Sequence, residues 1–132
     1  MDVQNVKSGD SLEAKILIET KSALRGAQWN LSFNPQVLRC EKVTEGSFFK
    51  DWAIAHNGET ILFPEPEIDN AGGHVSDVGI AILSNQEGGV SGQGIVCTYS
   101  FTALSQSVEI PVLSDVQVAD VNGKMSKVIV IP

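Results

Sequence analysis

Residues 26–35 read "GAQWNLSFNP", with an apolar side chain at every second position from Ala27 onward. Ala27, Trp29, Leu31 and Phe33 share one parity, and Gln28, Asn30 and Ser32 share the other. Successive side chains of an extended chain point to opposite faces, so this pattern predicts a β-strand with one buried face. Asn34-Pro35 ends it, because an Asx-Pro pair initiates a turn and proline has no ladder donor. The inward row is explained by burial. The outward row is neutral, made of amides and a hydroxyl, and what it faces is the functional question.

The same reading extends in both directions. "SLEAKILIET" (11–20) sets Leu12, Ala14, Ile16 and Ile18 against Glu13, Lys15, Leu17 and Glu19. "VLRCEKVT" (37–44) predicts a further strand, closed by Glu45-Gly46, and "SFFKDWAIAHNGET" (47–60) fits a helical turn or a loop over the core. "TILFPEPEID" (60–69) begins as a strand, but Pro64 and Pro66 confine it to an edge or rim. The "NAGG" turn leads into "HVSDVGIAIL" (74–83), and a glycine-rich loop (84–94) separates that run from "IVCTYSFTAL" (95–104). There Ile95, Cys97, Tyr99 and Phe101 share a face. "SVEIPVLSDVQVAD" (107–120) has room to bend near Pro111, "VNGK" carries the Asn-Gly hairpin signal, and "MSKVIVIP" is the last strand. Eight or nine short strands punctuated by turns predict an all-β fold, a sandwich or closed barrel of jelly-roll type. No linker or repeat divides the run, so residues 1–132 are read as one domain.

Nine basic against 16 acidic residues give a net charge of −7. With no Lys/Arg cluster to release counterions, a nucleic-acid partner is disfavoured, as is an anionic membrane surface. No apolar run approaches the roughly 18 residues of a membrane span. "MDVQNVKSGD" lacks the basic and apolar regions of a signal peptide, and the abrupt ends suggest an excised domain of a larger protein. Cys40 and Cys97 have no metal-type spacing and are read as two small buried hydrophobes, with a single disulfide as the alternative.

Ordered landmarks along nearly the whole chain resemble a cohesin domain, the receptor half of the cohesin–dockerin pair that builds cellulosomes. "VKSGDSLEAKILIE" resembles the opening Gly-Asp turn and alternating strand, and "LRGAQWNLSFNPQVLRCEKVTEG" resembles the central signature. "GVSGQGIVCTYSFTAL" and "LSDVQVADVNGK" resemble the Gly-x-Gly entry to a late strand and the penultimate strand with its turn. The resemblance implies a divergent cohesin: a nine-stranded jelly-roll sandwich, extracellular or at the cell surface. It implies a calcium-loaded dockerin as partner, bound on the face of the third, fifth, sixth and eighth strands, with calcium on the dockerin and no cofactor in this chain. The partner-binding residues it selects are Gln28, Asn30 and Ser32 on one strand, and Asp77, Gly79, Ala81 and Leu83 on another. Leu83 would be the apolar anchor.

Catalysis is weighed against this. Glu65 and Glu67 share a strand face, but a proline-broken rim with few aromatics is a poor glycosidase cleft. His74, Ser76 and Asp77 contain triad residue types without the turn that exposes a nucleophile. "DVNGK" (120–124) starts like a calcium loop at Asp120 and Asn122, but Met125 and Lys127 follow where oxygen ligands belong. Asp69, Asn70 and Asp77 could bring oxygens to one rim. The expectation is a non-enzyme. A carbohydrate-binding module is the main alternative, but Trp29 and Tyr99 have inward parity, leaving Trp52 as a single ring for a sugar platform. A structural surface or adhesion module is a third.

Overall fold

The computed structural model describes residues 5–62, 65–120 and 127–131. Its organising element is β1, which runs unbroken from Ser11 to Ser32. The sequence predicts two strands here, one over 11–20 and one in the run 26–35. Instead the chain bends without leaving the extended state, between Thr20 and Leu24, where its register against β6 shifts. The Thr20 hydroxyl holds the corner, accepting from the Ser22 N–H at 3.0 Å and donating to the Ser22 carbonyl at 3.1 Å. Such a local side-chain turn supplies the bend that glycine or proline would otherwise provide.

The bend sends the two halves of β1 into two layers. Its first half pairs with β6 (Val90–Ala103) on one side and β8 (Lys127–Ile131) on the other. On its far side β6 takes β2 (Leu38–Glu45). The second half pairs with β5 (His74–Leu83) and β7 (Val112–Asp120). Two short strands, β3 (Glu59–Leu62) and β4 (Glu67–Asp69), share the far edge of β5. The predicted 60–69 strand is thus two short ones, at an edge as expected, with Pro66 just ahead of β4. All these pairs are antiparallel, giving a sandwich of jelly-roll type with eight strands among the described residues where nine were expected; the first two predicted strands merge in β1, and the predicted 60–69 strand divides in two.

The inward rows meet between the layers. Ile16 and Ile18 from the first half of β1 and Trp29 and Leu31 from the second are wholly buried, with Val78, Tyr99 and Phe101. The Trp29 indole N–H donates to the Tyr99 hydroxyl at 2.6 Å, so two large rings are buried with their polar tips satisfied. A bulge between Ile16 and Leu17 opposite Ile95–Cys97 turns Val96 inward and leaves Ile95 half-buried, a local departure from the predicted face. The 47–60 segment forms α1 (Ser47–Ala55), which buries Phe48, Phe49 and Ala53 against the sandwich. Cys40 and Cys97 are free and buried, and burial pushes their thiols up to about 11 and about 12. The Asn-Gly turn, with Asn122, lies outside the described residues, as does the side chain of Asp120.

A candidate docking face

The outer face of the layer β7–β1–β5–β3 is built from transverse rows. Gly26 stands opposite Ala81 on one side and Ala119 on the other, and Ala81 in turn opposes Ile61. In the next row Gln28 lies between Gly79 and Gln117. Because so many of these positions carry Gly or Ala, the face sinks into a shallow trough of about 390 Å³. Gly26 sets its floor: a Cβ there would lie 2.7 Å from the Ile80 carbonyl oxygen, too close for any side chain without backbone movement. Ile61 and Leu83 stand exposed along this face, at 40% and 47%.

One row further, Asn30 holds both neighbouring strands. Trp29 pairs with Val78 and Leu31 with Val75, so Ser76 and Asp77 both oppose Asn30. On the other side Gln28 pairs with Gln117 and Asn30 with Ser114, which inserts an extra residue at Asp115–Val116. Each bulge carries an aspartate in the left-handed region, Asp77 at φ 55° and Asp115 at φ 51°, a conformation Asp and Asn tolerate better than other side chains. The Asn30 carboxamide oxygen accepts from the Asp77 N–H at 2.6 Å, and its NH₂ donates to the Asp115 carboxylate at 2.9 Å. Asn30, expected merely to point outward, is half-buried and works as a clasp between the two bulges.

Beyond this row the face becomes acidic. Glu65, Glu67, Asp69 and Asp77 line a cleft with His74 and Ser76. The chemistry weighed from sequence finds little support there. His74 Nε2 is 3.2 Å from Asp69 Oδ2, and the other Asp69 oxygen accepts from the Gly72 N–H at 2.8 Å. Ser76 lies within a continuous strand, without the sharp turn of a nucleophile elbow. Asn70 does not offer its oxygen to the rim: it accepts from the Cys40 N–H at 2.8 Å and its NH₂ donates back to the Cys40 carbonyl, stitching β2 to the turn. Among the described residues, no three His, Cys, Asp or Glu side chains are grouped to hold a metal.

Trp52, the one ring left for a sugar platform, is already engaged. The His56 ring stacks on it at 3.8 Å, and the Arg25 guanidinium lies 5.8 Å from its centroid. Arg25 is fixed by three backbone carbonyls of the 84–88 loop. A sugar would have to displace these partners to stack on the indole.

The seven residues selected from sequence thus lie on the adjacent strands β1 and β5. Gln28, Ser32, Asp77, Ala81 and Leu83 are exposed, and Asn30 and Gly79 are half-buried. Gly26, Ile61, Asp115, Gln117 and Ala119 were not selected, yet they complete the trough and the clasp. Asp115 had a signal: Ser-Asp-Val occurs at 76–78 and again at 114–116, the two bulges.

No family model and no curated protein matches the sequence. Solved structures do. A non-cellulosomal cohesin from the hyperthermophilic archaeon Archaeoglobus fulgidus superposes with a TM-score of 0.60 at 23% identity, over 88% of this chain and 72% of that one. The type II cohesin dyad of the adaptor ScaA scaffoldin from Acetivibrio cellulolyticus gives 0.67 at 17% identity, over 94% of this chain and 44% of that one. The third cohesin ScaC, solved in complex with the ScaB dockerin from the same organism, gives 0.59 at 13% identity, over 89% and 84%. The chain has the cohesin fold, on a strongly divergent sequence.

Proposed function

We propose that the chain is a cohesin domain, a non-catalytic receptor that binds a calcium-loaded dockerin on the outer face of β7–β1–β5–β3. The observation that carries this reading is the trough. An uncharged floor of Gly26, Ala81 and Ala119, bordered by amides and by exposed Ile61 and Leu83, suits close approach of an apolar helix face. The relative solved with a dockerin shares the fold. Gln28, Asn30, Ser32, Asp77, Gly79, Ala81 and Leu83 form part of the contact surface, joined by Ile61, Gln117 and Ala119. The setting is extracellular or cell-surface assembly, with residues 1–132 acting as one module of a larger secreted protein.

Calorimetry against a panel of calcium-loaded dockerins from the source organism tests this. A cognate dockerin is expected to bind, and Ala81→Arg, which fills the trough from an exposed position, to abolish binding. Chelation is expected to abolish the complex by unfolding the dockerin, while leaving the melting temperature of this chain unchanged. Failure of the whole panel, combined with affinity for soluble polysaccharide that is lost in Trp52→Ala, would move the assignment to a carbohydrate-binding module.

A further inference from the structure

Charge on the docking face is graded along β1, and the gradient bears on how a partner must lie. β3, β4, β5 and β7 contain neither Lys nor Arg. Arg25, at the corner of β1, is turned into the 84–88 loop carbonyls. The ion pairs among the described residues are Arg39–Glu41, on β2, and His74–Asp69. Among the described residues, Asp77 and Asp115 therefore flank Asn30 without an ion-pair partner. Two rows away, at Gly26 and Ala81, the face is uncharged.

We propose that this face takes a helical partner in one orientation, with a Lys or Arg of its end turn between Asp77 and Asp115 and its small apolar side chains over Gly26 and Ala81. The proposal rests on the reading of this face as the docking surface and adds the chemistry and direction of what docks there. The helix follows from backbone accounting. Along the trough floor β1 is paired on both sides, by β5 and β7, and β5 by β1 and β3, so the unpaired ladder groups among the described residues lie only at the outer edges of β7 and β3. A partner lying over the floor cannot add as a strand and must satisfy its own backbone. The cation follows from charge complementarity, since an anionic partner, or a second copy of this chain at net charge −7, would meet like charge at the clasp. Asn30 already donates to one oxygen of Asp115, fixing that carboxylate in place before a partner arrives.

The test needs no dockerin, so its outcome is separable from the fate of that assignment. The full chain is used to select from a displayed library of two-helix miniproteins with one helix face randomised, keeping clones that Ala81→Arg, a substitution at an exposed position of the trough, fails to bind. The expected clones carry Lys or Arg in one end turn and Ala, Ser or Leu elsewhere on the face. Their affinity should fall at least about tenfold for the double variant Asp77→Asn/Asp115→Asn, mostly through the on-rate at low salt. Asn tolerates the left-handed conformation at both positions, so the bulges are retained. Glu13→Gln/Glu19→Gln, an equal charge change on the opposite layer, should leave the affinity within about twofold. Should the aspartate variant misfold, Lys→Glu in the selected clone, measured against the parent chain, reads the same contact. The proposal is overturned if no clone maps to this face, or if clones there lack an end cation. Equal sensitivity to both double variants, or self-association of the parent chain through this face in sedimentation, also overturns it.

Discussion

The two halves of β1 belong to one strand, alternate in the same way and bury similar rows, yet their outward rows face different surroundings. In the first half, Glu13 and Lys15 oppose Ser100 and Thr98 of β6. Further along that layer the Thr102 hydroxyl donates to Glu41, which also pairs with Arg39 at 3.3 Å. Charges of both signs and hydroxyls satisfy one another there, as on a solvated sheet face. In the second half, Gly26, Gln28 and Asn30 meet strands without basic residues, and the outcome is a trough bounded by a clasp and an acidic end. Alternation tells which side chains point out. What an outward row can do depends on the strands laid beside it.

The comparison is tested most severely at Trp29. Trp29→Ala should lower stability by about 3 to 5 kcal/mol, through a core cavity and an orphaned Tyr99 hydroxyl. The adjacent Gln28→Ala should stay within about 0.5 kcal/mol. Equal losses in urea titrations would break the division into inward and outward rows. A smaller effect separates the two outward rows from each other. Asn30→Ala removes hydrogen bonds to both bulges and should cost about 1 to 2 kcal/mol, whereas Lys15→Ala in the first half should cost no more than about 0.5 kcal/mol. If the two were alike, the clasp would be dispensable. The smallest stability effect is expected at Leu83, exposed at 47%. Leu83→Ala should leave the melting transition nearly unmoved while weakening a cognate dockerin by about 1 to 3 kcal/mol, so unchanged affinity in calorimetry would remove Leu83 from the contact surface.

Much of this was legible residue by residue. The strict parity of Ala27, Trp29, Leu31 and Phe33 is matched by their burial, and Val78, Ile80 and Ile82 are buried opposite an outward Ala81 and Leu83. Where parity failed, a bulge intervened. Val75 and Val78 are both buried although three positions apart, because the inserted residue at Ser76–Asp77 resets the alternation. Bulges are invisible to a period-two reading, and with them went the role of Asn30. Asp115 was missed for the same reason.

What the sequence determined by itself is local: which segments extend, which side of each is apolar, where prolines confine a strand to an edge, and that the chain carries no Lys/Arg cluster. These follow from side-chain period, backbone chemistry and charge, which act over a few residues or over the whole composition. Tertiary structure alone decided that the first two predicted strands are one, bent at Thr20 to serve both layers. It also decided that β7 lies beside β1, bringing Asp115, 85 residues from Asn30 in the chain, within hydrogen-bonding distance of its amide. Pairing register between distant strands is set by the packing of the whole core, and a surface made of several strands exists only once that register is chosen.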